Sequence, residues 1–199
     1  MSKITGLLPH PDKKRYTDIY VDGELLLTVS DDAVIEAQLR TGAEFDEDKL
    51  YEIERAVSLT RAKNKAYLCL SYGDMSAKRL HEKLTHAGFD ADIADECVAA
   101  MKQRGLIDDE RYAVFFAKHL ACTKLYGPRR IRDELRAHGV SAEITEDVVS
   151  TLDVDFDENI RKLVHGKFKS KTDKRALCDA LIRYGYDYDS VRKYEDDYE

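Results

Sequence analysis

One helix-turn-helix pattern occurs three times in this chain, and that recurrence limits the possible folds more than any other feature. The copies align without gaps at residues 76–90 (SAKRLHEKLTHAGFD), 127–141 (GPRRIRDELRAHGVS) and 173–187 (DKRALCDALIRYGYD). Apolar anchors stand at Leu80, Ile131 and Leu177, and again four residues later at Leu84, Leu135 and Leu181. A spacing of four puts each pair on one face of a helix. Gly88, Gly139 and Gly185 follow at one equivalent position, where a left-handed residue would end the helix. Asp90, Ser141 and Asp187 come two residues later and are suited to cap a further helix. Ser76, Gly127 and Asp173 open the first helix of each copy, and Pro128 fits the first helical position in the second. Another helical stretch precedes each copy, at about Glu52–Leu70, Asp109–Ala121 and Glu158–Phe168. Each unit therefore reads as three helices. A single unit would leave its apolar face in water, so the units are expected to stack.

The N-terminal region follows a different pattern. Tyr16–Val21 and Glu24–Val29 are β-prone runs on either side of Asp22-Gly23, the signature of a two-residue hairpin turn. Ile4–Leu8 is a candidate third strand. Ser30 or Asp31 is placed to cap a short helix reaching about Leu39, with Gly42 beyond it. The expected class is mainly α: tandem three-helix repeats in an elongated, curved arrangement, with a small N-terminal β-hairpin extension. The expected divisions are 1–50 for hairpin and short helix, then three-helix repeats at 51–107, 108–152 and 153–199.

The chemistry of most enzymes is missing from the pattern. There is no G-x-x-x-x-G-K-[ST] loop for a nucleotide. Asp153–Asp157 begins like a calcium loop, but Glu158 stands where glycine is needed and Val164 where the bidentate glutamate belongs. The four cysteines (Cys69, Cys97, Cys122 and Cys178) form no C-x-x-C pair. Asp108-Asp109 reads as a helix cap rather than a catalytic pair. Neither a cofactor nor a metal is expected. No apolar run approaches a membrane span, and the first residues lack the core of a signal peptide, so a cytoplasmic protein is expected.

Charge points to binding instead. The net charge is −7, which excludes a uniformly basic nucleic-acid surface. Yet residues 118–138 hold six basic and two acidic side chains, and residues 161–175 hold seven and one. Lys78, Arg129 and Arg175 recur two residues before the first anchor of each copy. A cation near a helix start opposes the helix dipole, so its threefold recurrence hints at a ligand. The candidate contact residues are Lys78, Lys124, Arg129, Arg130, Arg132, Lys167, Lys169, Lys171 and Arg175.

Gly105-Leu-Ile-Asp-Asp-Glu-Arg-Tyr-Ala113, followed by Gly127-Pro-Arg-Arg-Ile-Arg-Asp-Glu-Leu135 and Gly139-Val140, resembles the central signature of the RecX family. YVDGELLLTVSDD and LRTGAEFDED resemble the N-terminal extension of many members. The resemblance implies three tandem three-helix repeats and no catalytic residues. It implies a partner, the RecA recombinase filament on single-stranded DNA, bound in the filament groove. The expected consequence is lower ATPase, strand-exchange and coprotease activity in DNA recombination, repair and the SOS response. Weak direct DNA binding and a monomeric state accompany that reading. Members often carry an Arg-rich stretch where this chain has Ser71-Tyr-Gly-Asp-Met-Ser76, which moves the expected contact to repeats two and three. The alternative function is a helical-repeat protein that binds nucleic acid on its own.

Overall fold

The computed structural model describes residues 2–169 and 173–196, with side chains through residue 193. Two compact units emerge: residues 1–73 with 80–106, and residues 74–79 with 107–199.

In the first unit, β1 (Ser2–Pro9), β2 (Tyr16–Val21), β3 (Glu24–Ser30) and β4 (Glu44–Phe45) form an antiparallel sheet in the order β3-β2-β1-β4. The expected turn joins β2 to β3. Asp22 (φ 50°) and Gly23 (φ 90°) are both left-handed, as a type I′ turn requires, and Val21 pairs with Glu24. The sheet extends beyond the hairpin because β1 pairs with β2 on one side and with β4 on the other. A two-residue strand such as β4 carries no periodicity to read in advance. Ser30 caps α1 (Asp31–Glu36). That helix stops short of Leu39, because Gln38 turns left-handed at φ 49°. Ile4, Ile19 and Val29 of the sheet pack with Ala33, Leu39, Ile53 and Ala56 in one core.

The rest of the described chain is helical. Helix α2 (Glu47–Ser71) begins five residues earlier than its apolar pattern does, because the Asp46 carboxylate accepts from the Lys49 amide and caps it there. Helices α3 (Ala77–His86) and α4 (Ala91–Gln103) complete the first repeat, and Leu80 and Leu84 are fully buried. Residues 77–79 of α3 group with the second unit.

In the second unit, α5 (Asp109–Cys122), α6 (Pro128–Ala137) and α7 (Ala142–Ser150) share one core, built on Ala113, Ala117, Ile131, Leu135 and Val148. Helices α8 (Phe156–His165), α9 (Lys174–Arg183) and α10 (Tyr188–Asp196) share another, built on Ile160, Leu163, Leu181, Tyr186 and Val191. Asp108 caps α5 through the Arg111 amide. Asp155 caps α8, Asp173 caps α9, and Asp187 accepts from the Ser190 amide at the start of α10. Leu84, Leu135 and Leu181, each at most 1% exposed, occupy equivalent buried places in the three copies.

The second unit contains a joint that occurs twice. At the first occurrence, the start of α3 meets the end of α6. The Ser76 hydroxyl donates to the His138 carbonyl, the Lys78 ammonium donates to the Ala137 carbonyl (3.2 Å), and the Lys78 stem lies over Gly139. At the second, the start of α6 meets the end of α9. The Gly127 amide donates to the Tyr184 carbonyl (2.8 Å), the Arg130 guanidinium to the Arg183 carbonyl (3.2 Å), and Arg130 lies over Gly185. His138 and Tyr184 are equivalent positions in the repeat, as are Ala137 and Arg183. In each joint, the helix that ends in a left-handed glycine receives the next-door helix start on its unpaired carbonyls.

Candidate partner-binding surface

The turn between α5 and α6 carries the densest group of sequence-selected cations, and the third repeat holds it firmly. The buried Asn159 amide group donates to the Ala121 carbonyl at 3.0 Å. The Tyr186 hydroxyl donates to the Leu125 carbonyl at 2.9 Å. Burial pushes the Tyr186 phenol well above its ordinary pKa, so it remains a donor throughout the neutral range. The Gly127 and Arg129 amides donate to the Tyr184 and Gly185 carbonyls at 2.8 and 3.1 Å. Leu125 itself is left-handed at φ 55°. A surface turn fixed at four points presents its side chains in a defined geometry without having to order them on binding.

The candidate cations have different environments. Arg129 is exposed at the start of α6, and Arg175 at the start of α9; neither has a side-chain partner among the described residues. Lys124 and Lys169 are likewise exposed and unpartnered among the described residues. Arg130 is half-buried. Its guanidinium sits 3.9 Å from the centre of the Tyr126 ring and 3.6 Å from the Glu134 carboxylate. Arg132 is bound to Glu146 at 2.8 Å, and Arg136 reaches the same carboxylate at 2.7 Å. Lys167 donates to the Tyr184 hydroxyl, at the edge of that ring. Lys171 lies outside the described residues.

Lys78 has a structural reason for its place in the repeat. Its ammonium does not simply oppose the dipole of its own helix. It meets the negative C-terminal end of α6, where a cation is favourable. Arg130 does the same at the end of α9, one alignment position further on.

A shallow depression of about 340 Å³ gathers Lys124, Lys162 and Lys167 beside Tyr126 and Tyr184. The two rings meet edge to face at 5.5 Å, and Phe168 meets Tyr184 in the same way at 5.2 Å. Sequence reasoning selected Lys124 and Lys167 but passed over Lys162 and both tyrosines. The available signal was a tyrosine directly before Gly127 and another before Gly185, the two glycines that the joint brings together.

Tyr112, Phe116 and His138 stack, with Phe116 4.4 Å from the His138 ring and the Tyr112 hydroxyl 2.5 Å from its Nδ1. Burial raises the Tyr112 pKa. This cluster holds α5 against the end of α6. Among the described residues, no group of three or more His, Cys, Asp or Glu is placed to hold a metal, and no helix is long and apolar enough to cross a membrane.

Comparison with known proteins gives a consistent result. Residues 108–149 match the family model described as RecX, second three-helix domain. The regulatory protein RecX of Caldanaerobacter subterraneus subsp. tengcongensis is 28% identical over 192 residues, covering 96% of each chain. That of Stenotrophomonas maltophilia strain R551-3 is 34% identical over 123 residues, covering 59% of this chain and 75% of the relative. A crystal structure of a regulatory protein RecX covers 98% of this chain and 100% of its own, with a TM-score of 0.80 at 22% identity, a likeness of fold.

Proposed function

The chain belongs to the RecX family of regulatory proteins, and from that premise we propose that it binds the filament formed by a RecA recombinase on single-stranded DNA and lowers its ATPase, strand-exchange and coprotease activities. In this reading it acts as a binding protein without catalysis of its own, in the cytoplasm and as a monomer, in recombination, repair and the SOS response. Residues 1–50 form the extension, and residues 51–107, 108–152 and 153–199 are the three repeats.

The observation that carries the reading is the fixed turn at residues 121–129. It displays Lys124 and Arg129 from the family's second three-helix domain on a backbone held by four hydrogen bonds. A rigid array of unpaired cations complements either protein carboxylates or DNA phosphate in such a filament groove. The net charge of −7 disfavours bulk attraction to DNA, so local contacts carry the specificity. Lys169 and Arg175 extend the unpaired set along the third repeat. Lys78, Arg130 and Arg132 are held by partners within the fold and contribute less.

The test is ATP hydrolysis by the cognate recombinase on single-stranded DNA, with strand exchange and filament length read in parallel. The expected result is slower hydrolysis and shorter filaments at near-equal or lower ratios of this protein. Unchanged values for all three would overturn the reading. Tight, steeply salt-dependent DNA binding without any effect on the recombinase would favour the stand-alone nucleic-acid protein instead.

A further inference from the structure

We propose that the depression between the α5–α6 turn and the α8–α9 region is a phosphate-binding subsite that takes the backbone of a single-stranded nucleic acid without reading its bases. The proposal rests on the filament reading for its biological setting, but the subsite itself is argued from its own composition.

Three lysines converge there, Lys124 from the turn and Lys162 and Lys167 from the end of α8 and just beyond it. Among the described residues, no carboxylate lines the depression. In a chain with 39 acidic side chains against 32 basic ones, that is a strong local departure. Elsewhere in the same unit some cations are neutralised, since Arg132 and Arg136 share Glu146 and Arg130 has Glu134. Lys124 and Lys162 have no ion-pair partner among the described residues, and Lys167 has only a phenol. Unneutralised cations in a concave site raise the local concentration of anions.

The cations are lysines, compact point charges on flexible stems, which suit phosphate without imposing the planar fork that arginine brings. The aromatic rings define what else can bind. The Tyr126 face carries Arg130 at 3.9 Å, whereas Tyr184 has Lys167 at its hydroxyl edge and the Arg130 guanidinium 5.7 Å from its ring centre. The rings also meet each other edge to face. The Tyr126 face under Arg130 is a poor platform for a base, and Tyr184 is engaged edge to face with both Tyr126 and Phe168, so the usual stacking contribution of single-strand binders is reduced. What remains is charge, and charge reads the phosphodiester backbone.

The experiment measures binding of the full chain to a fluorescent oligothymidine over a range of salt, with no recombinase present. The variants are Lys124→Ala/Lys162→Ala/Lys167→Ala, the matching triple arginine variant, and Lys13→Ala/Lys14→Ala/Lys65→Ala as an equal-charge control. Each phosphate contact on a single strand contributes about 0.7 to the salt slope, so the alanine triple is expected to lose about 2 in slope and at least tenfold in affinity. The arginine triple should retain binding. The control should lose much less, and an abasic strand of equal length should bind within about threefold of oligothymidine, because the contact is to phosphate. Melting curves confirm that the variants fold.

Wild-type affinity in the alanine triple would overturn the subsite, as would an equal loss in the control. Strong preference for the base-bearing strand would overturn backbone recognition. Saturable binding of inorganic triphosphate, with none of the oligonucleotide, would overturn the assignment to nucleic acid. Recombinase ATPase is measured on the same variants. Loss of inhibition with unchanged DNA affinity would mean that the lysines meet recombinase carboxylates, which also overturns the proposal. If the wild-type chain binds DNA through these lysines but leaves the recombinase unaffected, the filament reading fails while the subsite stands.

Discussion

The joint between α6 and α9 predicts a pattern of stability changes at three glycines. Gly88 is left-handed at φ 89°, and a Cβ there would meet nothing within 4 Å. Gly88→Ala thus incurs only the left-handed penalty, about 1–2 kcal/mol. Gly127 is the reverse. Its φ of −76° suits any residue, but a Cβ would come within 2.5 Å of the Gly185 carbonyl. Gly127→Ala must therefore open the joint and weaken two backbone hydrogen bonds, from the Gly127 and Arg129 amides. At about 0.5–1.5 kcal/mol each, their loss amounts to roughly 1–3 kcal/mol. Gly185 combines both problems, with φ 93° and a Cβ that would stand 2.9 Å from the Arg130 Cα and closer still to its amide nitrogen. Gly185→Ala should cost about 2–5 kcal/mol, the sum of strain and joint opening. Urea denaturation of the three single variants and of Gly127→Ala/Gly185→Ala provides the measurement. Once Gly185→Ala has opened the joint, Gly127→Ala has little left to disrupt, so the double variant should match Gly185→Ala within about 0.5 kcal/mol. Full additivity, or a Gly127→Ala variant as stable as wild type, would refute a closed joint. Hydrogen exchange at the Gly127 and Arg129 amides gives an independent reading: protection should be lost in Gly185→Ala and kept in Gly88→Ala.

Leu84→Ala, Leu135→Ala and Leu181→Ala should each destabilise by about 2–5 kcal/mol in urea denaturation, since each side chain is fully buried; a near-neutral result at any one would break the equivalence of the three copies. Arg129→Glu removes an exposed, unpartnered charge, so its melting temperature should move by no more than about 2 °C while recombinase inhibition weakens clearly; intact inhibition would exclude this residue as a principal contact. Adding Arg132→Glu is a less clean test, because it breaks the 2.8 Å pair with Glu146 and sets two carboxylates against each other, a further cost of about 0.5–1 kcal/mol. In the first unit, hydrogen bonds from Thr28 and then His10 hold the Asp18 carboxyl below the usual carboxylate range. A depressed folded-state pKa gives stability that is complete above the unfolded value of about 3.9 and is lost as pH falls through the folded value. Melting temperature followed from pH 6 to pH 2 should therefore decline less steeply in Asp18→Asn than in the wild type, and parallel curves would show that Asp18 contributes nothing to acid sensitivity.

The repeat, its buried leucines and its caps were legible because they depend on spacing within a single segment. Leu80 and Leu84 share a helix face wherever that helix packs, and Asp108 or Asp173 needs only the amide three residues on. What the sequence left unread depends on two segments meeting. Gly185 looks like a helix stop, which it is; that it also accepts the start of α6 is visible only with Arg130 laid across it. The recurring cation shows the same limit more sharply. Lys78 and Arg129 align in the repeat, yet the joint uses Lys78 in the first instance and Arg130 in the second. A gapless alignment predicts equal roles for aligned residues, whereas the joint selects whichever side chain reaches the carbonyl at the end of the neighbouring helix. Arg129 is thereby freed of the structural task that its aligned counterpart performs, and its charge stays exposed. Lys162 escaped notice for a related reason: it belongs to a different helix from Lys124 and joins it only after α8 has been drawn in by the Asn159 bond to Ala121. The contacts that close the second repeat onto the third are therefore the same ones that assemble the basic depression. Stability and binding should be coupled there: a variant that opens the joint should lose anion affinity without any lysine having been changed.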